Sequence, residues 1–178
     1  MKKLIVLSGN SQRNQAWGEG VVEHFGPWFD AVYMQYYDHW EHGEQEMNIE
    51  AELAKLKAAV NDDGVMYYVF AKSIGSLLSL LAIDQGYFKP EKCVFFGMPL
   101  ELAAEGVFAG DWAPLRHFSI PTIAFHNDQD PISYEHTKSA LAEHGSGSIE
   151  LITREGDNHD YTEFAEFEPS IKAFIDIK

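Results

Sequence analysis

The stretch VMYYVFAKSIGSLLSLLAIDQG, residues 65–86, decides the fold. Its first part, Val65 to Phe70, is a β-rich apolar run that is typical of a buried strand. Its last part, Leu77 to Ile83, is a strongly apolar run that is typical of a buried helix. A short turn of small residues joins the two, so the pattern predicts a strand, a sharp turn and a helix.

The turn reads A-K-S-I-G and places Ser73 at its apex. Small residues stand two positions before it and two positions after it, at Ala71 and Gly75. A bulky side chain at either place would collide with the neighbouring strand or helix, because the turn is so tight. A serine held in this way projects from the edge of the sheet and can serve as a nucleophile. The alternative is that Ser73 only caps the helix that follows it.

Two further predicted strands are followed by side chains that are suited to catalysis. One is followed by HNDQDPI, residues 126–132, which contains Asp130, and the other by REGDNHD, residues 154–160, which contains His159. Sheets of α/β proteins place catalytic groups just beyond the carboxyl ends of their strands. We therefore expect these loops to meet the turn at Ser73.

The chain order Ser, Asp, His is that of the α/β-hydrolase triad, and the chain resembles this superfamily. The matching pieces are A-K-S-I-G for the nucleophile turn, H-N-D-Q-D for the acid turn and G-D-N-H for the histidine loop. The resemblance is strongest to the small, nearly lidless YdeN-like and retinoblastoma-binding-type serine hydrolases. Their first loop often reads G-N, as Gly9 and Asn10 do here. The resemblance extends over nearly the whole chain, but only the three motif patches are specific.

The resemblance implies a serine hydrolase that cleaves ester-like acyl substrates of the carboxylesterase type through an acyl-enzyme. Ser73 would be the nucleophile, His159 the base, and Asp130 the acid that holds the histidine. Asp128 lies two residues earlier on the same turn and competes for the acid role, although the register of the motif favours Asp130. A thioesterase, a peptidase or an acyltransferase would use the same residues. A catalytically idle hydrolase fold that serves as a binding protein is a further alternative.

The same resemblance implies an oxyanion hole made of backbone N–H groups. One would come from Ile74, after the nucleophile, and the other from the first loop at Gly9 and Asn10. Many relatives carry a histidine where Lys72 stands here. A lysine that points outward is the simplest interpretation, and a cation that modulates the catalytic histidine is the alternative. His126 begins the acid motif and is interpreted as structural.

The uniformly apolar run Leu4 to Leu7 predicts a first core strand in a parallel sheet that is covered on both faces. Together with the other elements it predicts the α/β fold class, as a three-layer α/β/α sandwich with about six mainly parallel strands. This is a minimal α/β-hydrolase fold in a single domain over residues 1–178. Because Leu4 to Leu7 leads directly into the oxyanion loop, we expect the first two strands of the full hydrolase fold to be absent.

Apolar spacing predicts a helix within residues 14–25 and a second helix that Asn48 caps, with Glu52 on its solvent side. Between them, Ala31 to Tyr37 is predicted to form a strand, and N-D-D-G at residues 61–64 a turn.

Pro131 fits the first turn of a helix that runs to about His144, which makes Asp130 a candidate N-cap as well as a candidate acid. From Tyr161 onward the chain is predicted to close with helices that Pro169 interrupts.

Residues 97–118 have no strong periodicity. Larger hydrolases insert a lid here, so Met98, Leu100 and Trp112 are candidate acyl-pocket residues, with simple core packing as the alternative for each. Trp40 is a further candidate for the rim of the pocket. The interval is too short for a mobile cap, and we expect an open site that favours short acyl groups.

The segment DHWEHGE, residues 38–44, could suggest a metal site through its histidines and acids: His39, Glu41, His42 and Glu44. Its spacing does not place two histidines on one helix face, as H-E-x-x-H does, so a solvated loop is predicted. The lone Cys93 excludes an internal disulfide and a cysteine-based metal framework. We therefore expect neither a metal nor a cofactor.

The chain has 28 acidic and 13 basic residues, a net charge of −15, and 46% hydrophobic residues. Such a field repels nucleic acids and anionic membrane surfaces, which leaves a small-molecule acyl substrate as the expected partner. The apolar run near the N-terminus is too short for a signal peptide, and no stretch approaches the length of a membrane span. We therefore expect a soluble, cytoplasmic protein, and the sequence leaves its oligomeric state open.

Overall fold

The computed structural model describes residues 1–43, 47–60 and 64–176, without the side chains of residues 104 and 105. Its sheet has six strands, all parallel, in the order β2-β1-β3-β4-β5-β6. The strands are β1 (Lys2–Leu7), β2 (Ala31–Met34), β3 (Met66–Lys72), β4 (Lys92–Phe96), β5 (Thr122–Asn127) and β6 (Ile149–Arg154). The predicted fold class and strand number are thereby confirmed.

Helices connect the strands and cover both faces of the sheet. They are α1 (Asn14–Phe25), α2 (Asp38–His42), α3 (Ile49–Ala59), α4 (Ile74–Asp84), α5 (Leu100–Leu102), α6 (Ala113–Arg116), α7 (Tyr134–His144) and α8 (Phe164–Ile175). A 3₁₀ turn (Gly26–Trp28) follows α1, and a π-helical turn (Ala103–Val107) follows α5. Within the described part of the chain, no helix has both the length and the apolarity that crossing a bilayer requires.

Alternate residues of each strand serve the two faces. Leu4 and Val6 of β1 belong to one core cluster with residues of α1 and α8. Ile5 and Leu7 belong to the other, which contains residues of α3, α4 and α6. This division gives the predicted three layers and explains why the strands are apolar throughout rather than alternating.

The strand order reverses between β1 and β3, because β1 connects to β2 on one side while β3 pairs with β1 on the other. Open α/β sheets place their ligand crevice at such a switch point, beyond the carboxyl ends of the strands. The loop after β1 contains Gly9 and Asn10, and the turn after β3 contains Ser73. The topology therefore brings together the two segments that were predicted to form the nucleophile and its oxyanion hole.

The predicted cap of α3 is confirmed, but the predicted position of Glu52 is wrong. Asn48 Oδ1 accepts from the Ala51 N–H. Glu52 is 1% exposed rather than solvated, and its carboxylate accepts from the side-chain amide of Gln35 at 2.7 Å and from the Asp38 N–H at 2.7 Å. These two donors, together with the Lys55 ammonium 3.5 Å from Oε2, explain why a charged residue can occupy an apolar face.

Four local expectations also differ from the structure. Residues 38–44, predicted as a loop, contain the short helix α2. Glu44 of this segment lies outside the described residues, and so do residues 61–63 of the predicted turn. Strand β2 ends at Met34 rather than Tyr37.

Helix α7 begins at Tyr134 and is capped by Ser133, whose Oγ accepts from the His136 N–H at 3.3 Å, so Asp130 is not its cap. Helix α8 contains Pro169 without interruption.

Candidate active site

Ser73 lies between the last residue of β3 and the first residue of α4 in a conformation that is rare for a residue with a side chain. Its φ is 51° and its ψ is −125°. Such backbone strain persists only where the surroundings enforce it. Here the Ser73 N–H donates to the Phe96 carbonyl at 2.9 Å, and the Ser73 carbonyl accepts from the Ser76 N–H at 2.9 Å. Ser73 occupies the N-cap position of α4, but its side chain makes no capping hydrogen bond, so side-chain capping does not explain the serine at this position.

Gly75 is required by a close approach to β1. A Cβ at this position would lie 2.2 Å from the Leu7 carbonyl oxygen. The neighbour is backbone and cannot rotate away, so any side chain would force the turn off the sheet. This contact gives the physical reason for the small residue two positions after Ser73.

His159 and Asp130 form a close pair at the ends of their loops. The Nδ1 atom of His159 lies 2.9 Å from Oδ2 and 3.0 Å from Oδ1 of Asp130. The Asp130 side chain is fully buried, whereas that of His159 is 23% exposed. Asp130 Oδ1 also accepts from the Ile132 N–H at 2.7 Å. A carboxylate so placed fixes the tautomer and orientation of the imidazole.

Tyr161, which the sequence analysis did not single out, is a second donor to this carboxylate. Its hydroxyl donates to Asp130 Oδ2 at 2.5 Å and accepts from the Asn127 N–H at 3.1 Å. Burial by itself raises the pKa of Asp130, but hydrogen bonds from His159 and Tyr161, the nearby His159 and the Ile132 N–H together lower it below the usual value. The pair is therefore set up to keep Asp130 ionised.

Tyr161 also connects the histidine loop to α1. Its φ is 53°, and its carbonyl accepts from the Trp17 indole N–H at 3.0 Å. Helix α1 begins after the oxyanion loop, so a single residue joins the acid, the histidine loop and the element beside the predicted oxyanion hole.

Gly97, at the end of β4, provides the space in which His159 sits. A Cβ at this position would lie 2.5 Å from Cε1 of His159 and 2.7 Å from the Tyr161 ring. Its φ of 54° is a second reason for glycine. A lone glycine after a strand has many explanations, so this role of Gly97 could not be recognised from the sequence.

The competing acid has a different role in the structure. Asp128 is exposed, and its Oδ1 accepts from the Gly156 N–H at 3.1 Å. His126 is buried, and its Nε2 lies 2.9 Å from the Ile132 carbonyl. Both therefore hold loops in place.

Ser73 and His159 line the same cleft, which has a volume of about 460 Å³. The described residues offer no hydrogen-bond partner to Nε2 of His159. The structure thus brings the serine and the histidine together without joining them. Hydrogen bonds between a nucleophile and its general base are often long in the absence of substrate and shorten in the complex.

The predicted oxyanion loop is anchored by its carbonyl. The Asn10 carbonyl accepts from the Trp40 indole N–H at 2.7 Å and lies 2.7 Å from Nε2 of His39. Gly9 packs against Asn14, whose Nδ2 would lie 2.7 Å from a Cβ at position 9. Ile74 is the first residue of α4, where an N–H has no acceptor within the helix.

The three residues proposed for substrate binding do not line the cleft that contains Ser73. Met98 is fully buried in the core, because its segment turns under α7, where its carbonyl accepts from the Thr137 hydroxyl. Trp112 stacks on His144 with 4.4 Å between ring centroids. Trp40 is 5% exposed, because its indole is turned inward to Asn10. Apolar lining comes instead from residues that the sequence analysis did not consider: Ala16, Trp17 and Ile132.

The histidines of the suggested metal site have other partners. His39 bonds to Asn10, and Nδ1 of His42 lies 2.9 Å from the Asp38 carbonyl. Across residues 1–43, 47–60 and 64–176, no group of three histidine, cysteine or acidic side chains is arranged to hold a metal ion.

Lys72 does not point outward, contrary to the simplest interpretation of the sequence. It is 3% exposed, and its Nζ donates to Asn14 Oδ1 at 2.6 Å. Burial lowers the pKa of Lys72 to about 8, against opposing contributions from Asp160 and Asp130 and with a further lowering by Arg13. This cation borders the cleft beside Ser73.

No family model and no curated protein matches this chain. Solved structures do resemble it. Est1E from Butyrivibrio proteoclasticus, solved with ferulic acid bound, has a TM-score of 0.72 and 16% identity, over 98% of this chain and 88% of that one. Mouse alpha/beta hydrolase domain-containing protein 10 has a TM-score of 0.70 and 15% identity, over 98% and 88%. A YdeN-like hydrolase from Pectobacterium atrosepticum has a TM-score of 0.69 and 13% identity, over 99% and 90%. The chain therefore has the α/β-hydrolase fold.

The burial of Lys72 predicts a gain in stability when its charge is removed. Because its pKa is lower in the folded than in the unfolded chain, the unfolded chain binds more protons between about pH 8 and 10.5. The cost of the charge is complete below about pH 8 and disappears as the pH rises toward 10.5. We expect Lys72→Met to raise the free energy of unfolding at pH 7 by roughly 1 to 3 kcal/mol, after the lost Asn14 bond is allowed for.

The measurement is urea unfolding of both proteins from pH 7 to 10, with Lys89→Met as an exposed-lysine control. The difference between Lys72→Met and the unmutated protein should shrink over this range, and that for the control should stay near zero. A Lys72→Met variant that is less stable at pH 7 would contradict the prediction.

Proposed function

Starting from the α/β-hydrolase fold, we propose that the protein is a serine hydrolase that cleaves ester-like acyl substrates of the carboxylesterase type. The observation that carries the proposal is the pairing of buried Asp130 with His159 at 2.9 Å, in a cleft shared with the strained Ser73. Fold alone does not establish activity, whereas this geometry is what a serine hydrolase requires.

Ser73 Oγ attacks the substrate carbonyl while neutral His159 takes its proton at Nε2. Asp130 stabilises the imidazolium that results and keeps Nδ1 protonated. The negative charge on the tetrahedral oxygen is met by backbone N–H groups of Ile74 and of the Gly9–Asn10 loop. The imidazolium then gives its proton to the leaving group, which leaves an acyl-enzyme. Water enters the same site and releases the acid by the reverse sequence.

The similarity to structures described as lipolytic enzymes supports an ester substrate. The open cleft supports a short acyl group, because the described residues include no lid domain that would cover a longer chain. Thioester and amide cleavage would use the same catalytic groups.

The first test is covalent labelling with a fluorophosphonate probe, followed by mass-spectrometric mapping of the modified residue. We expect labelling at Ser73, because phosphonylation requires a serine activated by its base. Ser73→Ala should abolish both labelling and ester hydrolysis. The exposed Ser119, outside the cleft, provides the matched control, and Ser119→Ala should be labelled normally. Absence of labelling in the folded, unmutated protein would favour the idle binding protein instead.

A second prediction separates the two candidate acids. Asp130→Asn should lower kcat/KM by about 10²- to 10⁴-fold, because an amide cannot hold the required tautomer of His159 or stabilise its cation. Asp128→Asn should lower it by about threefold at most, since Asp128 only holds the Gly156 N–H. Both variants are compared at equal folded fraction, measured by circular dichroism. If Asp128→Asn is the more damaging change, the acid is misassigned.

A third prediction concerns acyl length. Among the described residues, the apolar lining of the cleft is limited to Ala16, Trp17 and Ile132, so only a few methylenes of an acyl chain can be buried against it, each worth about 0.8 kcal/mol. We expect kcat/KM for p-nitrophenyl esters to peak between acetate and butyrate and to gain nothing from longer chains. The series extends to palmitate, with and without detergent micelles. A rise that continues to palmitate, or a jump above the critical micelle concentration, would indicate a lipase-like groove.

A further inference from the structure

A buried ammonium group borders the cleft and forms no ion pair with a carboxylate in the described part of the chain. Lys72 is 3% exposed, and its only hydrogen-bond acceptor among the described residues is the amide oxygen of Asn14. An ammonium has three N–H donors, so two of them have no acceptor among the residues that the structure describes. Buried cations are ordinarily paired, because an unpaired one is costly. The position of Lys72 directly before Ser73 therefore calls for an explanation beyond packing.

The other groups around the cleft favour an anion on one side. Arg13 also lines it, is exposed, and forms no ion pair with a described residue. The N-terminus of α1, a helix of 12 residues, opens at Asn14 beside it, and such helix ends favour negative charge. The acids that face Lys72 are Asp160, which is exposed and also lines the cleft, and the buried Asp130, which is already bonded to His159 and Tyr161. The favourable side is therefore the one formed by Lys72 and Arg13, away from the Asp160 carboxylate.

We propose that the cleft binds acyl substrates that carry a carboxylate a few bonds from the scissile carbonyl, and that this carboxylate pairs with the Lys72 ammonium and the Arg13 guanidinium. The proposal rests on the hydrolase function proposed above and defines its substrate class. The substrate carboxylate supplies hydrogen-bond acceptors for the Lys72 N–H groups that have none among the described residues. The charge pair also fixes the distance between the recognised group and Ser73, which selects among acids of different length.

The net charge of −15 opposes the approach of an anion, but this effect is long-ranged and is screened within about 8 to 10 Å at physiological salt. Contact with two cations in a partly buried site is screened much less. Recognition at close range therefore decides the preference, and assays are run at constant ionic strength.

The test compares substrates that differ only in charge. On the acyl side, the 4-nitrophenyl monoester of adipic acid is paired with the 4-nitrophenyl ester of adipic acid monoamide. On the leaving-group side, 3-acetoxybenzoate is paired with 3-acetoxybenzamide. The quantity measured is the ratio of kcat/KM for carboxylate over carboxamide, each corrected for spontaneous hydrolysis. Because each variant is compared with itself, any general loss of catalysis cancels.

We expect the unmutated protein to prefer the carboxylate by about tenfold or more in at least one placement. The preference should disappear in Lys72→Met, persist in Lys72→Arg, and weaken in Arg13→Gln, a surface change that leaves the core intact. It should also fall above about pH 8 in the unmutated protein, as Lys72 loses its proton, but not in Lys72→Arg.

Equal rates for carboxylate and carboxamide in both placements would overturn the inference while leaving the hydrolase proposal intact, as would a preference that survives in Lys72→Met. Failure of the hydrolase proposal looks different, because the unmutated protein would then cleave none of the four substrates and would not be labelled at Ser73. If Lys72→Met does not fold, Arg13→Gln and the pH dependence of the unmutated protein decide the question.

Discussion

The close approach of two backbones at the carboxyl edge of the sheet is the constraint on which the site depends. A Cβ at Gly75 would meet the Leu7 carbonyl at 2.2 Å, so the turn after β3 is packed directly against the end of β1. This contact forces Ser73 into its strained conformation and sets the oxyanion loop beside it. Gly97 repeats the device at the end of β4, where its missing side chain admits His159. The positions of Ser73 and His159 thus depend on the absence of side chains at Gly75 and Gly97.

The fold and the candidate catalytic residues could be predicted from the sequence, because both depend on local patterns. Apolar runs of strand length indicated β1, β2, β3, β5 and β6, although β2 ends at Met34 rather than Tyr37. The small residues around Ser73 reflect the close contact of this turn with β1. The pairing of Asp130 with His159 agrees with the motif register, but its support from Tyr161 was missed. Tyr161 is joined to Asp130 only through the folding of loops 31 positions apart, and no local pattern carries that information.

Charged residues were the least predictable part of the molecule. Glu52 and Lys72 were both expected in solvent and are both buried, because their hydrogen-bond partners come from distant segments: Gln35 and Asp38 for the acid, Asn14 for the base. The proposed acyl pocket failed for the converse reason. Met98, Trp112 and Trp40 are large apolar residues near the expected lid, and such residues are more often used to fill a core or to brace a loop than to line an open cleft. The type of a residue predicts whether its side chain is buried, but not which residues it packs against.

The bond from the Asn127 N–H to the Tyr161 hydroxyl has a consequence for motion in the native state. Asn127 is the last residue of β5, yet its amide is protected by a side chain from the histidine loop rather than by a neighbouring strand. Its exchange with solvent deuterium therefore follows the opening of that loop instead of the unfolding of the sheet. The Tyr161 carbonyl also accepts from the Trp17 indole N–H, so we expect opening of the loop to require the loss of this contact with α1. The exchange rate of the Asn127 amide would therefore report how often the histidine loop opens.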